Sequence, residues 1–309
     1  MKQDSGIDVT LLPSSDPSAW ASILLEALPY IQKFMGKCVV VKYGGNVLGD
    51  SVDSNEEIDA ELDSFAEDIV LLHSVGILPV IVHGGGPQID EWLNRIGKVS
   101  AFSNGLRVTD AETLEVVKMV LLGKLNPSIV QAINRHGDKG VGVSGLDSSL
   151  IVATKAKGDI GFVGDIESVN PEIILSILKD GLIPVVATIG ADSQGQGYNI
   201  NADFGAAELA VAIGAEKLVY MTNVEGVRGK FDDPTSLIQR MQPGELENLL
   251  GSDTIQGGMR PKLQSALSAS NNGVSSVHIL DGRIPHAILL EMLTDRGIGT
   301  MITEEVVEK

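Results

Sequence analysis

The chain has 309 residues, 43% of them hydrophobic, with a formal net charge of −18 and a single cysteine, Cys38. That length suits one large α/β domain or two lobes sharing a sheet, and the apolar content excludes a disordered chain. The acidity argues against nucleic-acid and anionic-membrane partners, and one thiol excludes an intramolecular disulfide or a cysteine-rich metal site.

Residues 1–15 are polar and rich in proline and serine, and read as loose chain. The opening MKQDSGIDVT lacks the apolar centre of a secretion signal, and no apolar run reads as long enough to span a bilayer, so a cytoplasmic location is expected. Asp16 and Pro17 have the chemistry of a helix cap and first helical position, and Trp20, Ile23, Leu24, Ala27 and Leu28 follow at helical spacing. Pro29 is expected to kink or end that helix.

From Cys38 onward, apolar runs alternate with amphipathic segments. Strands are expected at 38–43, 78–83, 183–188, 217–222 and 275–280. Helices are expected at 56–75, 87–96, 110–122, 125–136, 171–180, 204–214, 244–251, 261–272 and 285–294. Fully apolar strands separated by helices imply a parallel sheet covered on both faces. The glycine-punctuated stretch 140–169 reads as hairpins laid over one lobe, and Gly190–Tyr198 as the most flexible loop.

Five segments carry chemistry. In VVVKYGGN a buried run ends at Lys42, Gly44 and Gly45. A lysine there wants an anion, and glycines let backbone N–H groups approach one, although a strand-end lysine reaching water fits equally well. In VIVHGGGPQID three glycines precede a helix, an N–H nest that attracts anions or else a tight strand-to-helix turn. The lone His83 beside them reads as structural. In NGLRVTD, Arg107 offers a fork suited to a carboxylate, but taken alone it reads as a surface ion pair. In YNINADFGAAELA, Asn199, Asn201 and Asp203 alternate and would share one side of extended backbone, more polar groups than one helix cap needs. In GGMRPKLQSAL, Pro261 fits the first helical position, which puts Lys262 in the first turn and Arg260 just outside it. Cations there oppose the helix dipole unless an anion binds.

No P-loop and no Gly-x-Gly-x-x-Gly after the first strand occurs, and neither a paired-carboxylate site nor a nucleophile triad is evident. Two lysines, an arginine, two glycine nests and an aspartate suit phosphoryl transfer to an acceptor that is already an anion.

The motifs KYGGN, FAEDIVLLHSVGILPVIVHGGGPQI, NGLRVTDAET, YNINAD, AEKLVYMTNVEGV, GGMRPK and HILDGRIPHAILLEMLTDRGIGTMI, in that order, resemble the acetylglutamate kinases of the amino acid kinase family, from about Leu25 to Ile302. The resemblance implies a three-layer αβα sandwich with a central, mostly parallel sheet. It divides the chain into an appended helical segment (1–35), a lobe for N-acetyl-L-glutamate (36–182) and a lobe for ATP (183–309), the last two forming one continuous kinase domain. The acceptor γ-carboxylate would attack ATP, whose Mg²⁺ arrives with the nucleotide, in the second step of arginine biosynthesis. By the same resemblance Lys42 and Lys262 stabilise the transition state and Asp203 organises them, with Asn201 in support. Gly44 and Gly45 cradle phosphates, while Gly85, Gly86, Arg107 and Asn199 hold acetylglutamate, Arg107 on its α-carboxylate.

The N-terminal helix resembles the extension of arginine-inhibited hexameric members, and Glu291 and Gly297 match their arginine site. A homo-oligomer, dimer or hexamer, is the corresponding expectation. The chain departs from the usual pattern at Ser144-Gly145-Leu146-Asp147-Ser148, where Ser-Gly-Lys-Asp-Gly is common, at Asn126-Pro127 for Asn-Lys, and at Thr222-Asn223 for Thr-Asp. The rival readings are an N-acetyl-aminoadipate kinase, from which one methylene separates it, and a catalytically silent sensor of arginine or acetylglutamate.

Overall fold

A computed structural model describes residues 17–45, 60–103, 105–229, 233–251, 255, 258–294 and 297–304. The expected cap at Asp16, the segment 1–15, Asn46, helix positions 56–59, Asn104 and Gly257 lie outside the described residues. The first part of the chain forms α1 (Pro17–Phe34), β1 (Cys38–Tyr43), α2 (Ala60–Ser74), β2 (Leu78–His83), α3 (Gly86–Arg95), a short ribbon of β3 (Phe102–Ser103) and β4 (Leu106–Arg107), and α4 (Ala111–Val120). A π-turn at Leu121–Leu125 leads into α5 (Asn126–Gly137), followed by β5 (Gly140–Ser144), β6 (Ile151–Lys155), β7 (Gly164–Val169) and α6 (Glu172–Lys179). Then come β8 (Ile183–Ala187), β9 (Ile189–Ala191), β10 (Gly197–Asn199), α7 (Ala202–Ala212), β11 (Lys217–Thr222), β12 (Arg240–Met241), α8 (Pro243–Leu250), α9 (Met259–Asn271), β13 (Ser276–Asp281), α10 (Ala287–Leu293) and β14 (Thr300–Thr303).

The main sheet has eight strands in the order β12-β14-β13-β11-β1-β2-β8-β5. From β13 to β5 all neighbours are parallel; β14 runs antiparallel to β13, and β12 pairs parallel with β14. The strands are β-branched and apolar because both faces are covered. Along β1 the pleat sends Val39, Val41 and Tyr43 into one apolar core and Val40 into another. The first core is closed by α2, α4, α5 and α10, the second by α6, α7, α8 and α9. Three layers result, as expected. The chain leaves β1 for β2 on one side and later returns to β11 on the other. A crevice opens at the carboxyl ends of strands where the winding reverses in this way.

Several expectations need correction. Pro29 lies inside α1, which runs unbroken to Phe34. Ala27, Tyr30, Ile31 and Phe34 pack on the core and hold the helix, while the carbonyl freed by the proline belongs to the largely exposed Leu25. The segment 140–144 is an edge strand of the main sheet rather than part of a hairpin, because α5 returns the chain parallel to β8. Only β6 and β7 form the hairpin, in a second sheet ordered β10-β9-β6-β7. The stretch 190–198 is not a loose loop. It is the turn of the β9–β10 hairpin, where Asp192 accepts the N–H groups of Gln194 and Gln196 and the Tyr198 hydroxyl.

The helices expected at 110–122 and 125–136 are one, continuous through the π-turn from Ala111 to Gly137. By length and composition this 27-residue helix could cross a membrane, contrary to the sequence reading, but half of its apolar window is buried inside the molecule, as befits a core helix.

Candidate active site

Each functional side chain sits where its element ends. Lys42 is the penultimate residue of β1, and Asp203 is in the first turn of α7 rather than on the extended run before it. Asn201 caps that helix, accepting the N–H groups of Asp203 and Phe204. Lys262 enters from α9, which begins at Met259. Pro261 is therefore the third helical residue and Arg260 lies inside the helix. The proline costs no hydrogen bond, since the first four helical N–H groups have no intrahelical acceptor.

These elements bring both lysines onto one carboxylate oxygen. Lys42 Nζ and Lys262 Nζ each lie 2.9 Å from Asp203 Oδ1. Burial alone would raise the Asp203 pKa, but the two ammonium groups outweigh it and hold the carboxyl far below the usual range. Burial, together with Lys42, lowers Lys262 to about 8, against the pull of Asp203. Asp203 is therefore committed as an anion and is no proton acceptor at neutral pH. Two cations against one anion leave the cluster with one surplus positive charge.

The cluster forms one wall of a cavity of about 620 Å³. Opposite it, α3 starts two residues after β2 ends, with no side chain capping it. A Cβ on Gly85 would lie 2.2 Å from Leu125 Cδ1 and 2.9 Å from Leu121 Cδ2, so this glycine lets the π-turn pack against the strand-to-helix turn. Arg107 is buried. Its Nη1 bonds Asp90 and Ser100, its Nη2 donates to the Gly86 carbonyl at 3.0 Å, and the guanidinium lies 4.8 Å from the Phe102 ring centroid. Partial burial pushes Asp90 up, but its bonds to Arg107 and Ser100 override that and leave it below the usual range. Asn199 Nδ2 donates to Thr109 Oγ1 at 3.2 Å. His83 is fully buried, accepts from Asn126 Nδ2 at 3.1 Å and is drawn down to about 4 by burial, so it is a neutral structural histidine.

A sequence profile described as the amino acid kinase family matches residues 37–281. The chain belongs to the amino acid kinase family. Two similar curated relatives are acetylglutamate kinases. That of Pelotomaculum thermopropionicum is 48% identical over 300 residues, 93% of this chain and 99% of the relative, and that of Bordetella parapertussis is 49% identical over 297 residues, 93% and 95%. Among solved structures, the N-acetylglutamate synthase of Neisseria gonorrhoeae complexed with coenzyme A and N-acetyl-glutamate superposes with a TM-score of 0.81 at 26% identity. The match covers 93% of this chain and 64% of the longer synthase. Giardia lamblia carbamate kinase bound to AMP-PNP shares the fold, with a TM-score of 0.65 at 16% identity over 87% of this chain and 99% of that one.

In this amino acid kinase, every residue that the sequence assigned to catalysis, acceptor or phosphate lines the one cavity. Glu291 and Gly297 lie elsewhere. Glu291 bonds His278 Nδ1 at 2.6 Å and accepts the Ile298 N–H at 2.8 Å, and Gly297 sits against its carboxylate. The sequence reading missed the partners beneath the site: Asp90 and Ser100 behind Arg107, Asn126 behind His83, and Tyr220 with Ser265 beneath the lysines. Only Tyr220 left a signal, since a tyrosine inside a buried strand needs a partner for its hydroxyl.

Proposed function

We propose that the chain phosphorylates the γ-carboxylate of N-acetyl-L-glutamate with ATP, giving N-acetyl-L-glutamyl 5-phosphate and ADP, in the second step of arginine biosynthesis. The observation that carries this is the pair of lysines sharing Asp203 Oδ1 across a cavity from the Arg107 clamp. In this reading the cavity is divided between the lobes, 36–182 holding the acceptor and 183–309 the nucleotide.

Arg107 takes the acceptor's α-carboxylate, with Asn199, Gly85 and Gly86 around the acyl-amino acid. The γ-carboxylate is already an anion, so the attack needs no general base, which agrees with the absence of an ionisable base at its end of the cavity among the described residues. Gly44 and Gly45 offer N–H groups to the phosphates. Lys42 and Lys262 neutralise charge as it develops on the transferring group and on the leaving diphosphate, and Asp203 keeps both ammonium groups at the reacting centre. Bound to the nucleotide, Mg²⁺ neutralises phosphate charge, while Asp203 is committed to lysine.

Regulation belongs to the same reading. Arginine would bind near Glu291 and Gly297, competing with His278 for the carboxylate. The exposed Leu24, Leu25 and Leu28 of α1 would pair in a homo-oligomer.

An ADP-release assay with N-acetyl-L-glutamate, with hydroxylamine trapping of the acyl phosphate, tests the reading with and without arginine. Trapped hydroxamate supports it, and suppression by arginine supports the regulatory part. Turnover only with N-acetyl-aminoadipate moves the substrate by one methylene, and no turnover with either leaves a silent sensor.

A further inference from the structure

We propose that Tyr220 is a positioning residue for the phosphoryl-transfer centre, its ring seating the Lys262 ammonium and its hydroxyl tying down the backbone that carries Asp203. The proposal rests on the kinase reading above. Tyr220 is fully buried in the middle of β11, where the run Lys217–Thr222 reads as plain core. Its register partner across the sheet is Lys42, so the two side chains leave neighbouring strands on the same face. Lys262 Nζ lies 4.9 Å from the Tyr220 ring centroid. The Tyr220 hydroxyl donates to the Asp203 carbonyl at 3.1 Å and lies 2.8 Å from Ser265 Oγ, which in turn reaches the Lys262 carbonyl at 2.8 Å. Two hydroxyl protons serve these three contacts. One side chain thus touches the charge of one catalytic lysine, neighbours the other, and anchors the backbone of the aspartate between them.

A core-filling aromatic would need none of this. The charged groups facing the Lys262 ammonium are Asp203 from α7 and Lys42 from β1. Arg260, two residues earlier, turns away to the Leu250 carbonyl. Burial and Lys42 both drive Lys262 towards its neutral form, and Asp203 opposes them. The negative face of the tyrosine ring is a second group favouring the ammonium, and unlike a carboxylate it does so without cancelling the charge the phosphates need. Burial raises the Tyr220 hydroxyl well above 10, so it stays protonated and keeps donating.

The test separates ring from hydroxyl at constant shape. Tyr220→Phe removes only the hydroxyl. Incorporation of 3,4,5-trifluorophenylalanine at position 220 also drains the ring's negative face while leaving its size nearly unchanged, so both proteins should fold. The readouts are kcat, KM for acetylglutamate, the alkaline limb of kcat/KM for ATP, and the ¹³Cε NMR titration of Lys262 without substrates. Expected are a kcat loss of roughly tenfold in Tyr220→Phe with the limb unmoved, and with the fluorinated ring a limb and a Lys262 titration lower by about half to one pH unit. KM for acetylglutamate should stay within about twofold in both, because Tyr220 touches no acceptor contact. Identical Lys262 titrations in the two variants would overturn the seat, and an unchanged kcat in Tyr220→Phe would overturn the anchor. Loss of the kinase reading would show differently, as wild-type protein without turnover whose Lys262 still titrates according to the ring beneath it.

Discussion

Lys262 carries its charge where the protein disfavours it. Its pKa of about 8 stands below the roughly 10.4 of a lysine in an unfolded chain, so between those values the unfolded chain binds more protons. Protonation of Lys262 therefore weakens folding below pH 8, and the penalty fades as pH rises towards 10. Lys262→Met should leave a neutral Lys42–Asp203 pair, match or exceed wild-type stability at pH 7, and lose that advantage by pH 9.5; urea titrations at the two pH values measure it. The same variant should lower kcat by about 10³ with little change in KM for acetylglutamate, because the lysine's partner charge appears in the transition state. In the wild type, kcat/KM for ATP should fall above pH 8 as Lys262 loses its proton, so activity and this part of stability run in opposite directions. Arg107 behaves otherwise. It meets a charge present throughout, so Arg107→Ala should mainly raise KM for acetylglutamate, a split that steady-state kinetics shows directly.

Among the elements, the turn after β5 holds a measurable strain. Ser148 and Ser149 stand at φ 51° and 53°, a region that suits glycine and disfavours side chains. Position 148 is where related kinases commonly carry glycine. Ser148→Gly should stabilise the protein by about 0.5–1 kcal/mol, read as a higher Tm with kcat unchanged. What the sequence shows and hides also divides by element. Lys42, Asp203 and Lys262 were legible because each sits at a strand or helix end beside glycine or proline, where local chemistry marks the position. The parallel strands were legible because burial on both faces leaves an apolar run. The short strands β12 and β14 were not, since two to four residues carry no period, and they form only because an edge needs covering. Asp90 was hidden for another reason. It lies 17 residues before Arg107 in an amphipathic helix, and only the fold brings its carboxylate to the guanidinium.

For the molecule as a whole, the surface is strongly acidic while the cavity holds a surplus positive charge. A polyanionic ligand therefore meets long-range repulsion before short-range attraction. Raising ionic strength from 20 to 150 mM should screen the first more than the buried second, so kcat/KM for ATP should rise rather than fall. The exposed leucines of α1 make a separate prediction. Removing residues 1–36 should lower the mass seen in light scattering if α1 joins protomers, while the cavity, which α1 does not line, keeps its turnover. The π-turn in the long helix sets the rotational phase between its two halves, because it holds one residue more than an α-helical turn would. Deleting Gly123 would heal the helix and turn everything after it by about 100°. Circular dichroism would record the same helical content, yet Asn126 would no longer meet His83 and Leu125 would leave Gly85. The cavity wall thus depends on a single codon whose loss would make the secondary structure more regular.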